Sequence, residues 1–533
     1  MSAETDTAVS TASATSPRRT VESRDPATGT VWRRFDAAGD ALVNSTLARA
    51  REALPAWRAQ PVRERVALIG EFHRELFRRR HDVARTIARE NGKAVPEALA
   101  AEVAVVLDMA RFVSRNAPVV LSSSWFTPSS LTMWRKRVRV EQEPLGVIAI
   151  VSPWNYPFML PAGSMLAALA TGNVAVLKPS EYTPSSAVLL EELVAAAGFP
   201  PDVFAVVQGD GATGAALVSG DVDKVFFTGS DATGRHVARA CAERLVPCVL
   251  ELGGSDAAIV LRDADVAHAA SGIVWGRFAN GGQTCVAPKR VFVEAPAHDR
   301  FVAAVRERLG RLRVGAGPDD AFDVGALIRP SQHDALAAQL DDALARGALV
   351  AAQSPSDAAA QVTFVPTLLV DVPPDARVLR EETFGPLLPV VAVRDADEAV
   401  ARANDSPYGL SASVWGTDRA RALAVARRLY SGTVMINDVV AVAGMADVPH
   451  GGVKASGTGR SHGIAGLEEC VQPRAIVVDR FATWRQAWWF GYDRRSTADI
   501  DGYLRLQHGH SLRERIRGIS ATLRLLFRPE RPV

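Results

Sequence analysis

The fold of this chain can be inferred from the segment Gly146-Val147-Ile148-Ala149-Ile150-Val151-Ser152-Pro153-Trp154-Asn155. An apolar, β-branched run ends here in small and polar residues, which is typical of a buried strand followed by a loop. Similar runs recur downstream, at 174–178, 203–207, 224–228 and 247–252. Helical segments lie between them, near 162–170, 184–197, 211–219 and 232–245. This alternation predicts a parallel, doubly wound α/β sheet.

Unusual residues follow four of these predicted strands. In doubly wound sheets, ligands bind beyond the carboxyl ends of the strands, so these residues mark one candidate site. The four segments are Ser152-Pro153-Trp154-Asn155, Lys178-Pro179-Ser180-Glu181, Thr228-Gly229-Ser230 and Glu251-Leu252-Gly253-Gly254.

A second α/β unit is predicted after Glu251, and helices and a hairpin precede the first. Residues 41–115 have helical periodicity, with Pro61 placed to begin a helix, and 122–142 read as an exposed hairpin whose edge another subunit covers. The predicted strands of the second unit are 290–294, 362–369, 388–393, 410–414 and 433–437, and its helices lie near 298–312, 395–404 and 418–429.

Length and composition indicate an ordinary globular protein. The 533 residues allow roughly three domains or fewer, and 48% hydrophobic with 23% charged residues is unremarkable for that class. The net charge of +2 gives no reason to expect nucleic acid as a partner. Residues 1–20 read as a disordered tail without a secretory core. The few cysteines indicate a reducing, cytoplasmic location.

Cys285 ends the small-residue loop Ala279-Asn280-Gly281-Gly282-Gln283-Thr284. The chain has 4 cysteines, none at metal-ligand spacing, so we expect no metal site. A lone cysteine is usually a buried hydrophobe, but this setting favours a nucleophile, which must be a thiolate. Glu251 is the candidate general base. Asn155, with the backbone N–H of Cys285, is placed to stabilise an oxyanion, although a turn-capping role is the alternative.

Residues 227–234 have the pattern of a strand, a tight turn and a helix start. Glycine permits close backbone approach, and a helix N-terminus favours a pyrophosphate. A plain strand–helix turn is the alternative. Lys178 and Glu181 are candidates for binding a ribose, or else two solvated charges on a turn.

These motifs together resemble the NAD(P)-dependent aldehyde dehydrogenase superfamily over about residues 25–474. The resemblance implies two doubly wound α/β domains, one for the cofactor and one for catalysis, plus a small β oligomerisation hairpin. The boundaries it implies are 21–128 and 146–251 for the NAD-binding domain, 252–471 for the catalytic domain, 129–145 and 472–495 for oligomerisation, and 496–533 for a C-terminal extension. Further motifs are Glu381-Glu382-Thr383-Phe384-Gly385-Pro386 and Gly451-Gly452-Val453-Lys454-Ala455-Ser456-Gly457.

The resemblance also implies a reaction and its residues. Cys285 would add to an aldehyde, Asn155 would hold the oxyanion, and Glu251 would activate the water that hydrolyses the resulting thioester to an acid. The implied cofactor contacts are Ser152, Pro153, Trp154, Lys178, Ser180, Glu181, Thr228, Gly229, Ser230, Glu382 and Phe384. The implied substrate pocket contains Phe158, Thr284 and His450.

Two choices follow from single residues. Glu251 favours water over coenzyme A as the acyl acceptor, and Glu181 favours NAD over NADP, which stays the alternative cofactor. A coenzyme A-acylating or other acyl-transfer relative, and a non-catalytic binding protein of the same fold, are the competing functions. The chain departs from the family at Ser255-Asp256, where a lysine is common, and at His450, where an aromatic residue is usual.

The C-terminal extension carries two further features. Ala487-Trp488-Trp489-Phe490-Gly491-Tyr492 is an aromatic cluster like one in relatives that handle longer aliphatic aldehydes. A final helix is predicted to be amphipathic and basic, so it either docks on a neighbouring subunit of a homodimer or homotetramer or makes peripheral contact with an anionic membrane. Its apolar face contains Leu512, Ile516, Ile519, Leu523 and Leu526, and its arginines are Arg513, Arg517, Arg524 and Arg528.

Overall fold

A computed structural model of the chain describes residues 19–315, 322–356, 363–481, 486, 488–490 and 492–527. Residues 1–18 of the predicted disordered tail lie outside this set. The chain divides into two compact units, one of Met1–Val120 with Pro144–Val471 and one of Leu121–Glu143 with Gln472–Val533. No helix among the described residues has the length and apolar character that crossing a bilayer requires.

The secondary structure elements are numbered along the chain. The strands are β1 (Thr20–Arg24), β2 (Val31–Asp36), β3 (Trp125–Phe126), β4 (Lys136–Pro144), β5 (Val147–Val151), β6 (Val174–Lys178), β7 (Phe204–Val206), β8 (Lys224–Thr228), β9 (Cys248–Glu251), β10 (Asp256–Val260), β11 (Pro288–Glu294), β12 (Leu349–Gln353), β13 (Thr367–Val370), β14 (Leu387–Val393), β15 (Ser411–Trp415), β16 (Thr433–Ile436), β17 (Gly457–Thr458) and β18 (Val471–Asp479). The α-helices are α1 (Asp40–Ala59), α2 (Val62–Asn91), α3 (Val95–Ala98), α4 (Ala104–Val120), α5 (Met159–Ala170), α6 (Pro184–Ala196), α7 (Gly211–Ser219), α8 (Asp231–Glu243), α9 (Val266–Phe278), α10 (Ala295–Leu309), α11 (Pro330–Ala345), α12 (Arg377–Arg380), α13 (Ala396–Asn404), α14 (Arg419–Ala426), α15 (Gly463–Glu468), α16 (Ser496–His508) and α17 (Leu512–Leu526).

The first large sheet has the strand order β17-β9-β8-β5-β6-β7. β9, β8, β5, β6 and β7 are parallel, and β17 pairs with β9 in the antiparallel direction. Residues 147–150 of β5 are buried, as a strand covered by helices on both faces requires. The predicted doubly wound parallel sheet is confirmed.

The second large sheet has the order β12-β13-β14-β11-β10-β15-β16, with only β12 antiparallel. β10 divides its side chains between two apolar cores because successive residues of a strand point to opposite faces. Ala257 and Ile259 join one core, and Ala258 and Val260 join the other. This is the second α/β unit that the sequence predicts.

The sequence analysis missed several elements of this second α/β unit, among them β10, β12, α9 and α11. β10 begins five residues after β9 ends, so no helix separates the two strands. A search for alternating strands and helices therefore does not detect β10. α9 is buried along one face, with Ala269, Ala270, Ile273 and Val274 in the core. Its exposed face carries Ala267 and Trp275 as well as His268 and Ser271, so the two faces differ little in hydrophobicity and the sequence lacks a clear amphipathic period.

The link between β9 and β10 brings the two sheets together beside Cys285. A Cβ atom added at Gly254 would lie 2.9 Å from the Cys285 carbonyl oxygen, and one added at Gly253 would lie 2.3 Å from a Glu382 carboxylate oxygen. At Gly254 the close neighbour is backbone, so this position requires glycine. At Gly253 the neighbour is the end of the Glu382 side chain.

The compact unit of Leu121–Glu143 with Gln472–Val533 contains the three-stranded sheet β18-β4-β3 and the helix pair α16 and α17. Trp125 of β3 pairs with Arg139 of β4, which confirms the predicted hairpin. The predicted final helix is present as α17. Its buried face consists of small residues and one leucine, namely Gly518, Ala521, Thr522 and Leu525.

Most of the predicted apolar face of α17 is exposed. Leu512 is 74%, Ile516 57% and Leu523 50% exposed, so this face does not pack against α16. Trp488, Trp489, Phe490 and Tyr492 of the aromatic cluster are also exposed. Ala487, Gly491 and Arg528 lie outside the described residues.

Candidate active site

Four strand ends meet at one edge of the first sheet. β9, β8, β5 and β6 are neighbours in that order, and all four run parallel. Glu251, Thr228, Ser152 and Lys178 therefore lie side by side at or just beyond the carboxyl ends. The structure brings together the four segments that the sequence analysis selected.

Ser152 and Lys178 form a polar corner at this edge. The Ser152 backbone N–H donates to the Lys178 carbonyl at 3.1 Å, and the Ser152 hydroxyl is buried without a hydrogen-bond partner among the described residues. Lys178 is 4% exposed, with its Nζ 3.4 Å from a Glu181 carboxylate oxygen. Burial lowers the pKa of Lys178, and Glu181 opposes this shift. A buried cation beside an unsatisfied hydroxyl suits a polar ligand.

The turn after β8 has the geometry expected of an anion-binding helix start. The Gly229 N–H donates to the Glu251 carbonyl at 3.0 Å, and the Ser230 hydroxyl caps α8 by accepting from the Thr233 N–H at 3.3 Å. A Cβ atom at Gly229 would lie 2.6 Å from the Phe227 ring. The N-terminus of α8 thus faces the same edge as Lys178 and Ser152.

Residues from the second sheet complete this region. The Phe384 ring packs edge-on against Trp154, with ring centroids 5.5 Å apart. Glu382 accepts from the Gly254 N–H at 3.0 Å. Ser180 accepts from the Tyr182 N–H at 3.3 Å, and Pro153 is half-buried next to Trp154. The buried lysine, the unsatisfied hydroxyl and the helix start fit the charges and hydroxyls of a dinucleotide.

The loop that carries Cys285 has an unusual backbone. α9 ends at Phe278, and Asn280, Gly281 and Gly282 then all have positive φ. A Cβ atom at Gly282 would lie 2.5 Å from the Gly385 carbonyl carbon, so this position requires glycine. The Asn280 side-chain amide donates to the Asn155 carbonyl at 2.8 Å.

Asn155 reaches the same loop from the other side. Its Nδ2 donates to the Gln283 carbonyl at 3.0 Å, two residues before Cys285. Its own carbonyl accepts from Lys93 Nζ at 3.0 Å. Asn155 is 4% exposed and is held by these contacts beside the loop that carries Cys285.

Cys285 is a free, half-buried thiol. Burial raises its pKa to about 12, Lys289 opposes this shift, and the carboxylates of Asp256, Glu382 and Glu251 reinforce it. The thiol is therefore protonated at neutral pH in this state. Reaction requires a base to take its proton or a cation to offset the nearby carboxylates.

Lys289 is a functional candidate that the sequence analysis missed. It has no exposed side-chain surface, lies 3.4 Å from Glu382 and donates to the carbonyls of Thr284 at 3.0 Å and of Cys285. Lysine is scarce in this chain, with six in 533 residues. The sequence feature that could have identified Lys289 is its position, four residues after the candidate nucleophile Cys285.

Glu251 is a buried carboxyl with two different neighbours. Its Oε1 accepts from the Ser461 hydroxyl at 2.9 Å, while its Oε2 makes no hydrogen bond to a described residue and lies 3.8 Å from His450 Nε2. Burial raises the pKa of Glu251 to about 8, and Ser461 and Arg460 oppose the shift. Glu251 therefore titrates near the working range of a general base.

Cys285 lines two cavities. One, of about 30 Å³, also contacts Glu251, Thr228, His450 and Ser461. The other measures about 770 Å³. Its apolar lining includes Val105, Met159, Leu160, Val274, Phe278, Leu312 and Val440.

Two of the three predicted substrate-pocket residues line the large cavity. Thr284 and His450 are part of its wall, and the Thr284 hydroxyl lies 2.9 Å from that of Tyr156. Phe158 is not in the wall: its side chain is fully buried in the core of the first sheet, and its N–H donates to Glu102 at 2.9 Å. The apolar residue placed at the cavity is instead its neighbour Met159.

Comparison with known proteins gives one consistent result. The model of the aldehyde dehydrogenase family matches residues 12–476. The chain is 36% identical over 490 residues to a 4,4'-diapolycopene aldehyde oxidase of Methylomonas, covering 92% of each protein. It is 34% identical over 460 residues to an NADP-dependent succinate-semialdehyde dehydrogenase of Escherichia coli, covering 86% of this chain and 94% of the relative.

A solved structure agrees. Lactaldehyde dehydrogenase from Escherichia coli superimposes with a TM-score of 0.82 at 31% sequence identity, covering 86% of this chain and 96% of the other. The family model, the relatives and the solved structure thus each match most of the chain. The chain belongs to the aldehyde dehydrogenase family and is an NAD(P)-dependent enzyme that oxidises an aldehyde to the acid.

Proposed function

We propose that the chain oxidises a neutral, apolar aldehyde to its carboxylic acid, with Cys285 as nucleophile, Asn155 as oxyanion donor and Glu251 as base. The observation that carries this proposal is the place of Cys285 in the wall of both cavities. An apolar chain fills the large cavity, and its aldehyde carbon then lies at the thiol, close to Glu251.

The residues account for each step. Glu251 takes the thiol proton, and the Cys285 sulfur bonds to the aldehyde carbon. Asn155 and the Cys285 N–H donate to the oxyanion that forms. After oxidation to the thioester, Glu251 takes a proton from water, the water oxygen attacks the carbonyl, and the C–S bond breaks to release the acid.

NAD or NADP, when bound, supplies the oxidant that accepts two electrons and a proton from the substrate carbon. Lys178, Glu181, Ser152, Gly229 and Ser230 would hold the adenosine and pyrophosphate. Glu382 and Phe384 would contact the nicotinamide side. The remaining chemistry belongs to side chains of this chain.

Charge at the cavity favours a neutral substrate over a semialdehyde. The lining arginines described are already engaged: Arg308 with the Ser271 hydroxyl at 2.9 Å, Arg313 with Asp323 and Arg311 with Glu307. Glu97 also lines the cavity, and its negative form repels a substrate carboxylate. The relative named for 4,4'-diapolycopene aldehyde is consistent with an apolar substrate.

A series of aldehydes tests the proposal. We expect kcat/KM for NADH formation to rise by about fourfold per methylene from butanal to decanal, because each buried CH₂ contributes about 0.8 kcal/mol. Succinate semialdehyde should be the poorer substrate at equal length. Cys285→Ala should abolish turnover and keep NAD binding. A preference for the semialdehyde over every alkanal would contradict the substrate class.

We also propose a homodimer or homotetramer joined through β18. Residues 472–478 of this edge strand are all exposed in the single chain, including Ile476, Val477 and Val478. An exposed apolar edge strand is a surface for pairing with a second copy. Light scattering should give a mass of two or four chains, and Val477→Lys should reduce it. A monomeric wild-type protein would overturn this proposal.

For α17 we propose peripheral contact with an anionic membrane. Leu512, Ile516, Ile519 and Leu523 are exposed in one row, and Arg513 and Arg517 lie beside it by helical position, as in helices that bind membrane surfaces. Co-sedimentation with phosphatidylserine vesicles should require residues 511–533. Equal sedimentation of the truncated chain would exclude the membrane. If truncation instead lowered the oligomer mass, this face would be a subunit contact.

A further inference from the structure

Two cysteines other than Cys285 lie next to each other in the first large sheet and its helices. Cys241 is in the last turn of α8, and Cys248 is the first residue of β9, at the opposite end of that strand from Glu251. We propose that Cys241 and Cys248 form a peroxide-reactive dithiol, which hydrogen peroxide oxidises to an intramolecular disulfide. This modification site is independent of the roles proposed for Cys285 and Glu251.

A tight reversal of the chain brings the two cysteines together. The backbone N–H groups of Arg244 and Val246 both donate to the Cys241 carbonyl, at 3.2 and 2.9 Å, and Leu245 between them has a φ of 56°. A left-handed residue after a helix turns the chain back along it. β9 therefore begins beside the end of α8, and both cysteine side chains pack into the same apolar core.

The two thiols interact directly, and they differ in exposure. Hydrogen bonding between them raises the pKa of Cys241 and lowers that of Cys248, as expected when the first thiol donates to the second. Cys241 is 2% exposed, whereas Cys248 is partly exposed. A disulfide forms only between side chains that already approach each other closely. The pair thus places one thiol within reach of a small oxidant and a second thiol behind it.

The charges of the chain make Cys248 the more reactive thiol. The hydrogen bond from its partner lowers the pKa of Cys248 to about 7; burial opposes this shift, and Lys224 reinforces it. Burial raises the pKa of both Cys285 and Cys470 to about 12. Because the thiolate is the form that attacks an oxidant, Cys248 should react with peroxide before either of these two cysteines.

The reaction has two balanced steps. The Cys248 thiolate attacks one oxygen of hydrogen peroxide, the O–O bond breaks, and a sulfenic acid forms while the departing hydroxide takes up a proton to give water. The Cys241 sulfur then attacks the Cys248 sulfur, the S–S bond forms, and the S–O bond breaks. The second hydroxide leaves as water with the Cys241 proton. Peroxide is reduced by the two electrons that the sulfurs lose, and a thiol reductant reverses the change.

Peptide mapping of the wild-type chain tests the proposal. The full-length protein is treated at about pH 7 with about one equivalent of hydrogen peroxide, then denatured, alkylated with iodoacetamide and digested with trypsin. Cys241 falls in the tryptic peptide 240–244 and Cys248 in 245–262. We expect these two peptides joined, with a mass two hydrogen atoms below their sum. Dithiothreitol should separate them, and Cys285 should carry the alkyl label.

Two variants distinguish the roles of the two thiols. Cys241→Ser removes the resolving thiol, so the sulfenic acid at Cys248 should persist and take up about tenfold more dimedone than in wild type. Cys248→Ser should give neither the joined peptides nor a dimedone adduct. Cys470→Ser, at a buried cysteine in another part of the chain, is the matched control and should form the cross-link as wild type does.

Two results would overturn the proposal. One is oxidation of Cys285 while Cys241 and Cys248 both remain free for alkylation. The other is conversion of Cys248 to the sulfinic acid without joined peptides, which would mean that the two sulfurs cannot meet. The mapping of the wild-type chain needs no variant to fold and no aldehyde to turn over, so it decides this question separately from the proposed function.

Discussion

Lys289 Nζ lies 3.4 Å from a carboxylate oxygen of Glu382 and also donates to the Cys285 backbone carbonyl. Glu382 raises the pKa of the Cys285 thiol, and Lys289 lowers it. The two residues therefore act in opposite directions on the ease with which Cys285 loses its proton. Neither residue needs to touch the substrate to have this effect.

Replacing Lys289 by Met should make Cys285 less reactive. Loss of the cation leaves the thiolate facing Glu382, Asp256 and Glu251, so its pKa rises further. We expect alkylation of Cys285 by iodoacetamide at pH 8 to slow by about tenfold, the equivalent of about 1.4 kcal/mol. Lys454→Met, at an exposed lysine that donates to loop carbonyls, is the matched control. Equal alkylation rates in wild type and Lys289→Met would show that the cation has no electrostatic role.

The hydrolytic step should accelerate with pH. Burial raises the pKa of Glu251 to about 8, and its basic form is the carboxylate, so activity is low below that pH and levels off above it. Between pH 6 and 7 the rate should rise by about tenfold. Glu251→Gln should lose the steady rate and the pH dependence together. Stopped-flow absorbance of NADH distinguishes the first turnover from the steady state, and a pH-independent wild-type rate would argue against Glu251 as base.

Glu181 should set the preference for NAD. Its carboxylate lies 3.4 Å from Lys178 at the end of β6, where a 2′-phosphate would meet a like charge. Glu181→Ser should lower the ratio of kcat/KM for NAD over NADP by about tenfold or more. Glu192→Ser, at an exposed α6 glutamate paired with Arg79, should leave the ratio unchanged. Higher wild-type activity with NADP would reverse the prediction.

Stability should depend on a buried ion pair beneath the site. Lys93 Nζ lies 2.6 Å from Glu102, and neither side chain has exposed surface. Lys93→Met leaves the Glu102 carboxylate buried with only two backbone N–H donors, and should cost about 3–5 kcal/mol. Urea unfolding of Lys93→Met measures this. Arg74→Met, which removes an exposed pair with Glu71, should leave the urea midpoint unchanged.

The sequence predicted the strand ends well because their signals are local. Lys178 and Glu251 terminate buried runs, and parallel strands must present such ends together. Cys285 could be selected because glycine and small residues surround it. These features depend on the chain within about ten residues of each position.

What the sequence analysis missed depends on distant residues. Ser461 and Lys289 contact Glu251 and Glu382 across 210 and 93 positions, and nothing near either residue marks that contact. Phe158 was expected at the substrate pocket, but its neighbour Met159 lines the cavity instead. Which of the two side chains faces the cavity depends on the backbone direction at the start of α5, which the sequence does not reveal. The most apolar face of α17 is exposed, so an apolar stripe in the sequence does not always mark the face of a helix that packs against its neighbour.

The strand β17 has a consequence for synthesis of the protein. It lies beside β9, pairing Gly457 with Glu251, although about two hundred residues separate them in the chain. Ser461, which holds the Glu251 carboxylate, follows within four residues of Gly457. On the ribosome, Cys285 therefore emerges long before Glu251 acquires its final surroundings. With the roles proposed for Cys285 and Glu251, a chain that stops before Gly457 would carry the thiol without its base in place, and we expect such incomplete chains not to consume aldehyde or cofactor.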